Sequence, residues 1–555
     1  MIRKTLILSL AALLLVGCGR DDADPAAAEL SSAAVDSLTL FQRIDADSIY
    51  VSANLQTLPD ELVDKFWQPM ANLGEINRQT YDEMADYVEG DSSLVAALLR
   101  EVGHINSREA FEERGLNSNG QWAMHAISVY PVAHWQLSDR AAFESTLERV
   151  AAEAGSPLPR RGIDEAEIIW IDLGNFGLAI HHDDHFVTIG LVPDDNSLLR
   201  RLANLDQPTD ALNPRQLEAF NRERGFTPYG SGYVDFGRLV ERLLDADDEL
   251  VAAGRQASPF QDIADDPACR EELNALVTLM PRLSAGLPKV DQGELTAAMR
   301  IETESGFGRR LARLVDTPVS LEAGSTELLS AGMALNLVAA RDFGREVVGG
   351  WVNKPPRCAL FEGIRVNAED WQLALNRPIP PIVTNIHGFQ FDLAHLVMQD
   401  GGVVDASATL AVFMRNPQML VGMAQMFSPE LAGLNLSSGG DPQPLPADMV
   451  PNVDTWIALG EGAIGLAAGA EGMQRLTAAV RPRDGDNSIL FSYNLNMAAY
   501  AELMAHMEEQ LGQGGMDISS MDLFGGFGDI YEEIRVSIHL SERGIDFTST
   551  SILKQ

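Results

Sequence analysis

Three clusters of side chains in this sequence have the types and spacing of metal ligands. His181-His182-Asp183-Asp184-His185 sets His182 and His185 on either side of two carboxylates, a donor set for zinc or copper if a turn brings the imidazoles together. The run also has a plainer reading. Alternation along a strand sends His181 and His182 to opposite faces, and Asp183-Asp184 is ordinary hairpin-turn chemistry. The plainer reading is preferred, so no bound metal or other cofactor is expected, with His182 and His185 the residues that would overturn this. A second cluster is Met414, Met419, Met423 and Met426, followed by Met497, Met504, Met507, Met516 and Met521. Thioethers suit Cu(I), but Met419, Met423 and Met426 have the spacing of a helical core stripe or a flexible binding face. The third, Asp484-Gly485-Asp486-Asn487, offers oxygens to calcium but lacks a late glutamate, and reads as a hairpin turn.

Signatures of enzyme chemistry are missing. There is no nucleophile elbow, no phosphate loop with its lysine, no His-Glu-x-x-His and no Cys-x-x-Cys. A catalytic pair cannot be chosen among 80 acidic side chains, so no catalytic residue is named and a non-enzymatic role is expected. The formal charge of −39 argues against nucleic acid as a partner, because no basic block offsets it.

The start of the chain carries an address. Met1-Ile2-Arg3-Lys4 is basic and Thr5 to Val16 is apolar, too short to span a hydrocarbon core of about 30 Å. Leu15-Val16-Gly17-Cys18 resembles the lipobox of bacterial lipoproteins, which implies cleavage before Cys18 and a diacylglycerol on its thiol. Gly19, where an aspartate would imply inner-membrane retention, makes the outer membrane the expected site, facing the periplasm or alternatively the cell surface. Asp21 to Ala34 reads as a flexible acidic tether. Cys269 and Cys358 then remain as an even pair in an oxidising compartment and are expected to form a disulfide.

The elements that must position these residues follow a repeated grammar of short strand, Asn or Asp, then amphipathic helix. It occurs at Ser48 to Asn54, Gly232 to Asp235, Gly332 to Asn336 and Phe491 to Asn494. Asn54 and Asp235 would answer to Asn336 and Asn494. A third landmark, Thr303-Glu304-Ser305-Gly306-Phe307, would answer to Ser541-Glu542-Arg543-Gly544-Ile545. Between Trp122 and Leu205 the pattern is clearest: an extended stretch, a helix capped at Ser138 or Asp139, and a meander over Glu167 to Asp172, Leu178 to His181 and His185 to Val192. The expected fold is α+β, with two similar halves that are each a mainly antiparallel curved sheet with helices packed on one face. The expected organisation is a signal peptide over 1–17, a tether over 18–36 and halves over 37–315 and 316–555, broken within Ser305 to Leu328.

The tether, Asp47-Ser48-Ile49-Tyr50-Val51, the segment Tyr229-Gly230-Ser231-Gly232-Tyr233-Val234-Asp235 and the closing strand–Gly–strand together resemble a family of exported bacterial lipoproteins. That family carries no assigned chemistry, so the resemblance implies export and lipidation but no functional residue. The leading functional expectation is a lipoprotein held to the membrane by its lipid, binding an envelope protein, a peptide or an apolar ligand. A hydrolase of envelope polymers and a structural spacer are the alternatives. Replacing Cys18 with Ser is expected to abolish incorporation of labelled fatty acid and to release the chain from the membrane fraction; retention of both would refute the lipobox.

Overall fold

Short runs rich in Val, Ile and aromatic residues, separated by Gly, Asn and Asp, pair here as antiparallel strands. The structure is a computed structural model. It describes residues 39–554 except 73, 91, 246–248, 257–262, 316–326, 400–401, 428–432, 440, 447–452, 482–487, 513–527 and 529. Cys18, the tether, the Asp484 to Asn487 run, Met516 and Met521 lie outside the described residues. Among the described residues no helix is long and apolar enough to cross a membrane.

The chain forms two compact units. The first takes described residues up to Gln292 together with Cys358–Leu360, and the second takes Gly293–Arg357 and Phe361 onward. The division precedes the Ser305 to Leu328 segment expected from sequence. Ser305–Ala312 is itself a helix, and 316–326 lie outside the described residues.

In the first unit the strands are β1 (Tyr50–Ala53), β2 (Trp122–Ile127), β3 (Tyr130–Gln136), β4 (Arg160–Ile163), β5 (Ala166–Asp172), β6 (Gly177–His182), β7 (Phe186–Val192), β8 (Ser231–Asp235) and β9 (Arg282–Val290). They pair in the order β9-β8-β1-β2-β3-β7-β6-β5-β4, antiparallel throughout. Helices cover both faces of this sheet, not one as expected. Leu94 of the Ser93–Gly103 helix and Phe143 and Leu147 of the Arg140–Ala154 helix pack on Ile169, Ile180 and Val187. On the other face Leu198, Leu199 and Leu202 of the Asn196–Leu202 helix pack on Val132, Ile168, Ala179 and Val192. Both strand faces carry apolar residues here, so both must be covered.

The second unit contains β10 (Glu294–Glu302), β11 (Leu329–Ala334), β12 (Ile386–Gln399), β13 (Gly402–Met414), β14 (Gln443–Pro444), β15 (Thr455–Leu459), β16 (Ala463–Ala468), β17 (Ile489–Asn496), β18 (Tyr531–Ser541) and β19 (Gly544–Leu553). Their order is β10-β19-β18-β17-β11-β12-β13-β16-β15-β14, again antiparallel. The Gly469–Ala479 helix sits so close to the sheet that a Cβ on Gly465 would lie 2.5 Å from both Leu476 and Val480. Glycine at that strand position is a packing requirement.

Local signals placed several helix ends. Asp139 accepts hydrogen bonds from the backbone of Ala141 and Ala142 at 2.8 and 3.1 Å. Asp235 and Asn336 cap the helices that follow them. Asn54 and Asn494 do not. Asn54 accepts from the backbone N–H of Trp122 at 2.9 Å and donates to the carbonyl of Gly120 at 3.1 Å, bracing the start of β2. Asn496, not Asn494, accepts from Ala499 N–H at 3.1 Å as the next helix begins. In both places the strand runs straight on or a loop intervenes, so the residue that meets the free N–H groups is displaced from the one the grammar picks.

Cys269 and Cys358 are joined in a disulfide. Asp266 caps the Pro267–Leu279 helix, with Pro267 at its first position, which puts Cys269 in the first turn as the sequence implied. Both cysteines are buried, and the backbone N–H of Cys358 donates to Glu272 at 3.1 Å. The bond was expected to tie two halves together. It closes inside the first unit, because Cys358–Leu360 belong to that unit. The pair is 89 residues apart in sequence. Removing both thiols is expected to cost about 4 kcal/mol of stability by releasing a loop of that size in the unfolded chain. Urea unfolding of Cys269→Ser/Cys358→Ser against the parent measures it, and an unchanged midpoint would show that the bond constrains nothing.

Candidate functional site

The histidine run forms the β6–β7 hairpin turn. Asp183 N–H donates to the carbonyl of Phe186 at 3.0 Å, and the Asp183 carboxylate accepts from His185 and Phe186 N–H, each at 2.8 Å. Both carboxylates are also engaged by arginines, Asp183 by Arg43 at 2.6 Å and Asp184 by Arg140 at 2.7 Å. The imidazoles diverge. His181 is buried with Nδ1 3.0 Å from the Glu167 carbonyl, whereas His182 lies edge-on to Phe143 at 5.6 Å. Among the described residues no group of three or more His, Cys, Asp or Glu gathers as a metal centre would need.

The methionines divide: Met414 and Met497 are buried in core clusters. On the Pro417–Phe427 helix the inward side chains are Leu420 and Val421, which pack with Met414, Leu459 and Ile464, while Met426 is 74% exposed. Met419 and Met423 are half-buried.

A buried histidine pair, not singled out from sequence, lies inside the first unit. The imidazoles of His125 on β2 and His134 on β3 stack at 5.2 Å, with their Nε2 atoms 3.0 Å apart. The bonds fix the protons. His125 Nδ1 is 3.3 Å from the Ala126 carbonyl, which can only accept, so Nδ1 carries hydrogen and Nε2 is left to accept. His134 Nε2–H therefore donates to it, and His134 Nδ1 accepts from the Thr188 hydroxyl at 2.9 Å. Burial lowers the pKa of His125 to about 4. Burial also holds His134 well below its ordinary value, with His125 and Arg43 adding to the effect. Strand alternation carries the signal: His125 and His134 fall on inward positions beside Ala123 and Val132.

The sheet of the second unit shows the most unusual surface. Three in-register rows cross seven strands from β18 to β15 on one face. The first is Ile538, Phe491, Met333, Phe389, Val412, Ile464 and Leu459. The second is Val536, Tyr493, Ala331, Phe391, Leu410, Leu466 and Ile457. The third is Ile534, Leu495, Leu329, Leu393, Ala408, Ala468 and Thr455. Met333 and Phe389 are each 37% exposed and Leu466 is 40% exposed. The opposite face is buried and mixed: Ala334, Ala411, Phe413, Ala463 and Ala467 form a core there under Leu476 and Val480, with a polar set beside them. That set includes Ser330, Gln390, Thr409, Ser492 and Asn494. Asp392 accepts there from the Ser330 hydroxyl, from Gln390 Nε2 at 3.0 and 3.1 Å, and from Thr409 Oγ1 at 3.4 Å. A carboxylate so occupied holds strands together and is poorly placed to activate water.

Two helices stand on the apolar face. Leu420 and Val421 cover Val412, Ile457 and Ile464. Tyr500 of the Met497–Gly512 helix gathers with Tyr493, Leu495 and Ile534, and that helix runs alongside β12, β17 and β18. On the same face Met333, Ala331, Phe389, Phe391, Leu410 and Leu466 continue the apolar rows.

No family model, curated protein or solved structure matches this chain.

The buried histidines make stability depend on pH. A histidine pKa held below about 6.5 in the fold means the unfolded chain binds more protons, so the stability they confer is complete above pH 6.5 and lost as pH falls toward 4. For His125, at about 4, the expected loss between pH 7 and pH 5 is about 2 kcal/mol. His125→Gln/His134→Gln keeps amide donors and acceptors without the titration. Its chemical-denaturation stability should flatten over this range, and an undiminished slope would locate the acid sensitivity elsewhere.

Proposed function

We propose that the chain is a non-enzymatic lipoprotein of the bacterial envelope, anchored at Cys18, whose second unit binds an apolar ligand on its uncovered sheet face. The observation that carries this reading is the exposure of large apolar side chains on one face of the sheet. Polar side chains are sequestered and hydrogen-bonded, while Met333, Phe389 and Leu466 face outward. A contiguous apolar surface left in water costs roughly 25 cal/mol for each Å² exposed, and such patches mark binding surfaces. The methionines on the Pro417–Phe427 helix suit that role, since unbranched thioethers repack around ligands of varied shape.

We also propose that the two units are copies of one design. Strands β9, β8, β1, β2, β3, β7, β6 and β5 match β18, β17, β11, β12, β13, β16, β15 and β14 in neighbour order and in chain order. Asn54 and Asn336 follow equivalent strands, β1 and β11. The landmark at Thr303 does not keep phase with that at Ser541, since one ends β10 and the other ends β18, the equivalent of β9. In the first unit the helices Ser93–Gly103 and Arg140–Ala154 pack on part of the corresponding face, where Ile189 is still 38% exposed.

The neutral dye N-phenyl-1-naphthylamine should brighten on mixing with the mature protein. Phe389→Gln/Leu466→Gln should weaken that binding about tenfold or more while leaving the thermal midpoint within a few degrees. Equal dye binding by parent and variant would refute the site.

A further inference from the structure

We propose that the first described segment, Thr39 to Asp45, is an acid-released clasp, held shut at neutral pH by two ion pairs that flank the buried His125–His134 pair. The segment is a single 3-10 turn, Thr39–Arg43, followed by an isolated bridge from Asp45 to Ala211. Leu40, Phe41 and Ile44 are buried, and the Ile44 carbonyl accepts from Leu212 N–H at 2.8 Å. Arg43 meets Asp183 in the β6–β7 turn at 2.6 Å, and its guanidinium lies over the Phe186 ring at 4.9 Å. Asp45 meets Arg201 of the Asn196–Leu202 helix at 2.7 Å. Phe186 and Thr188 are two residues apart on β7, so they share a face of the sheet. Thr188 is the residue bonded to His134. Each ion pair therefore sets an arginine beside the histidines.

The closed pair has no vacant place for a proton. His125 Nε2 already accepts from His134, and His134 Nδ1 already accepts from Thr188. A proton added at either nitrogen displaces a donor that is there. Burial is the main cause that keeps both imidazoles neutral. The charge of Arg201 adds to it at His125, and those of His125 and Arg43 add to it at His134. The neighbouring elements offer little relief. The clasp brings Arg43 and Asp45, the Asn196–Leu202 helix brings Arg201, and the β6–β7 hairpin brings His181 and Asp183. Both aspartates are already paired with the arginines, and β1 sets uncharged Val51 opposite His125.

What yields to an added charge is the part held least firmly. Strands β2, β3 and β7 are each paired on both sides. The clasp has one turn and one bridge, which makes it the low-stability element of this region. Its opening moves Arg43 away and lets water reach the imidazoles. Both histidines titrate below their ordinary value in the closed form, so the open form binds protons more tightly. The clasp is therefore held fully above about pH 6.5 and loosened as pH falls. In a chain anchored at Cys18, opening lengthens the connection to the body by on the order of 25 Å.

Hydrogen–deuterium exchange of the mature protein at pH 7, 6 and 5 tests this, read by mass spectrometry and corrected for the intrinsic pH dependence of exchange. The open fraction reported by residues 40–46 and Leu212 should rise about twentyfold from pH 7 to pH 5 if opening takes up one proton, with β6 and β7 still protected. His125→Gln/His134→Gln should abolish the rise. Arg43→Gln serves if that variant does not fold: it should open the clasp at pH 7 with the same strands protected. A clasp equally protected at pH 5 and pH 7 would overturn the inference, as would protection lost equally across β2, β3 and β7. A rise undiminished in the histidine variant, or a clasp left shut by Arg43→Gln, would overturn it as well.

Discussion

A β-strand sends successive side chains to opposite faces, and a buried polar side chain must find a hydrogen-bond partner. In the second unit these two constraints act together and decide almost everything else. Ser330, Gln390, Asp392 and Thr409 are neighbours across β11, β12 and β13 and satisfy one another on the buried side. Once that set faces inward, Met333, Phe389, Phe391 and Leu410 have nowhere to go but outward. The exposed apolar rows are thus the other half of a well-paired interior. A one-residue slip of register would turn the whole arrangement over, which the Asp392 cluster opposes.

The first unit meets the same constraint differently. His125, His134 and Thr188 are sequestered in a hydrogen-bonded chain on one face, and Phe143, Leu147 and Leu94 pack on the other. The two sheets share their strand order while covering their faces with different helices.

Much of the local structure could be read from the chain. The meander over β5 to β7, the Asp139 cap and the helix start at Asp266-Pro267 are written in short-range chemistry, and so the sequence places them within a residue or two. The disulfide followed from cysteine parity. What could not be read was which alternate set of an amphipathic strand faces in. Periodicity separates Met333, Ala331 and Leu329 from Ser330 and Gly332, but it carries no label for inside. Both sets carry apolar residues here, so apolarity alone does not choose between the faces. The methionines show the same ambiguity: Met414 and Met497 are buried, and Met426 is exposed on a helix whose Leu420 and Val421 pack on the sheet. Asn54 was misread because its amide serves a distant strand, 66 and 68 positions along the chain, and no local pattern reports that.

The return of the chain at Cys358–Leu360 has a consequence for the order of assembly. A chain that emerges from its N-terminus presents Cys269 long before its partner, and 89 positions separate them. The first unit can collapse around its sheet in that interval, but its covalent closure waits on β11 and on the Leu337–Asn353 helix, which belong to the second. Completion of the earlier unit is thereby conditional on synthesis of the later one, and a truncated product would carry a reactive thiol as the mark of its incompleteness.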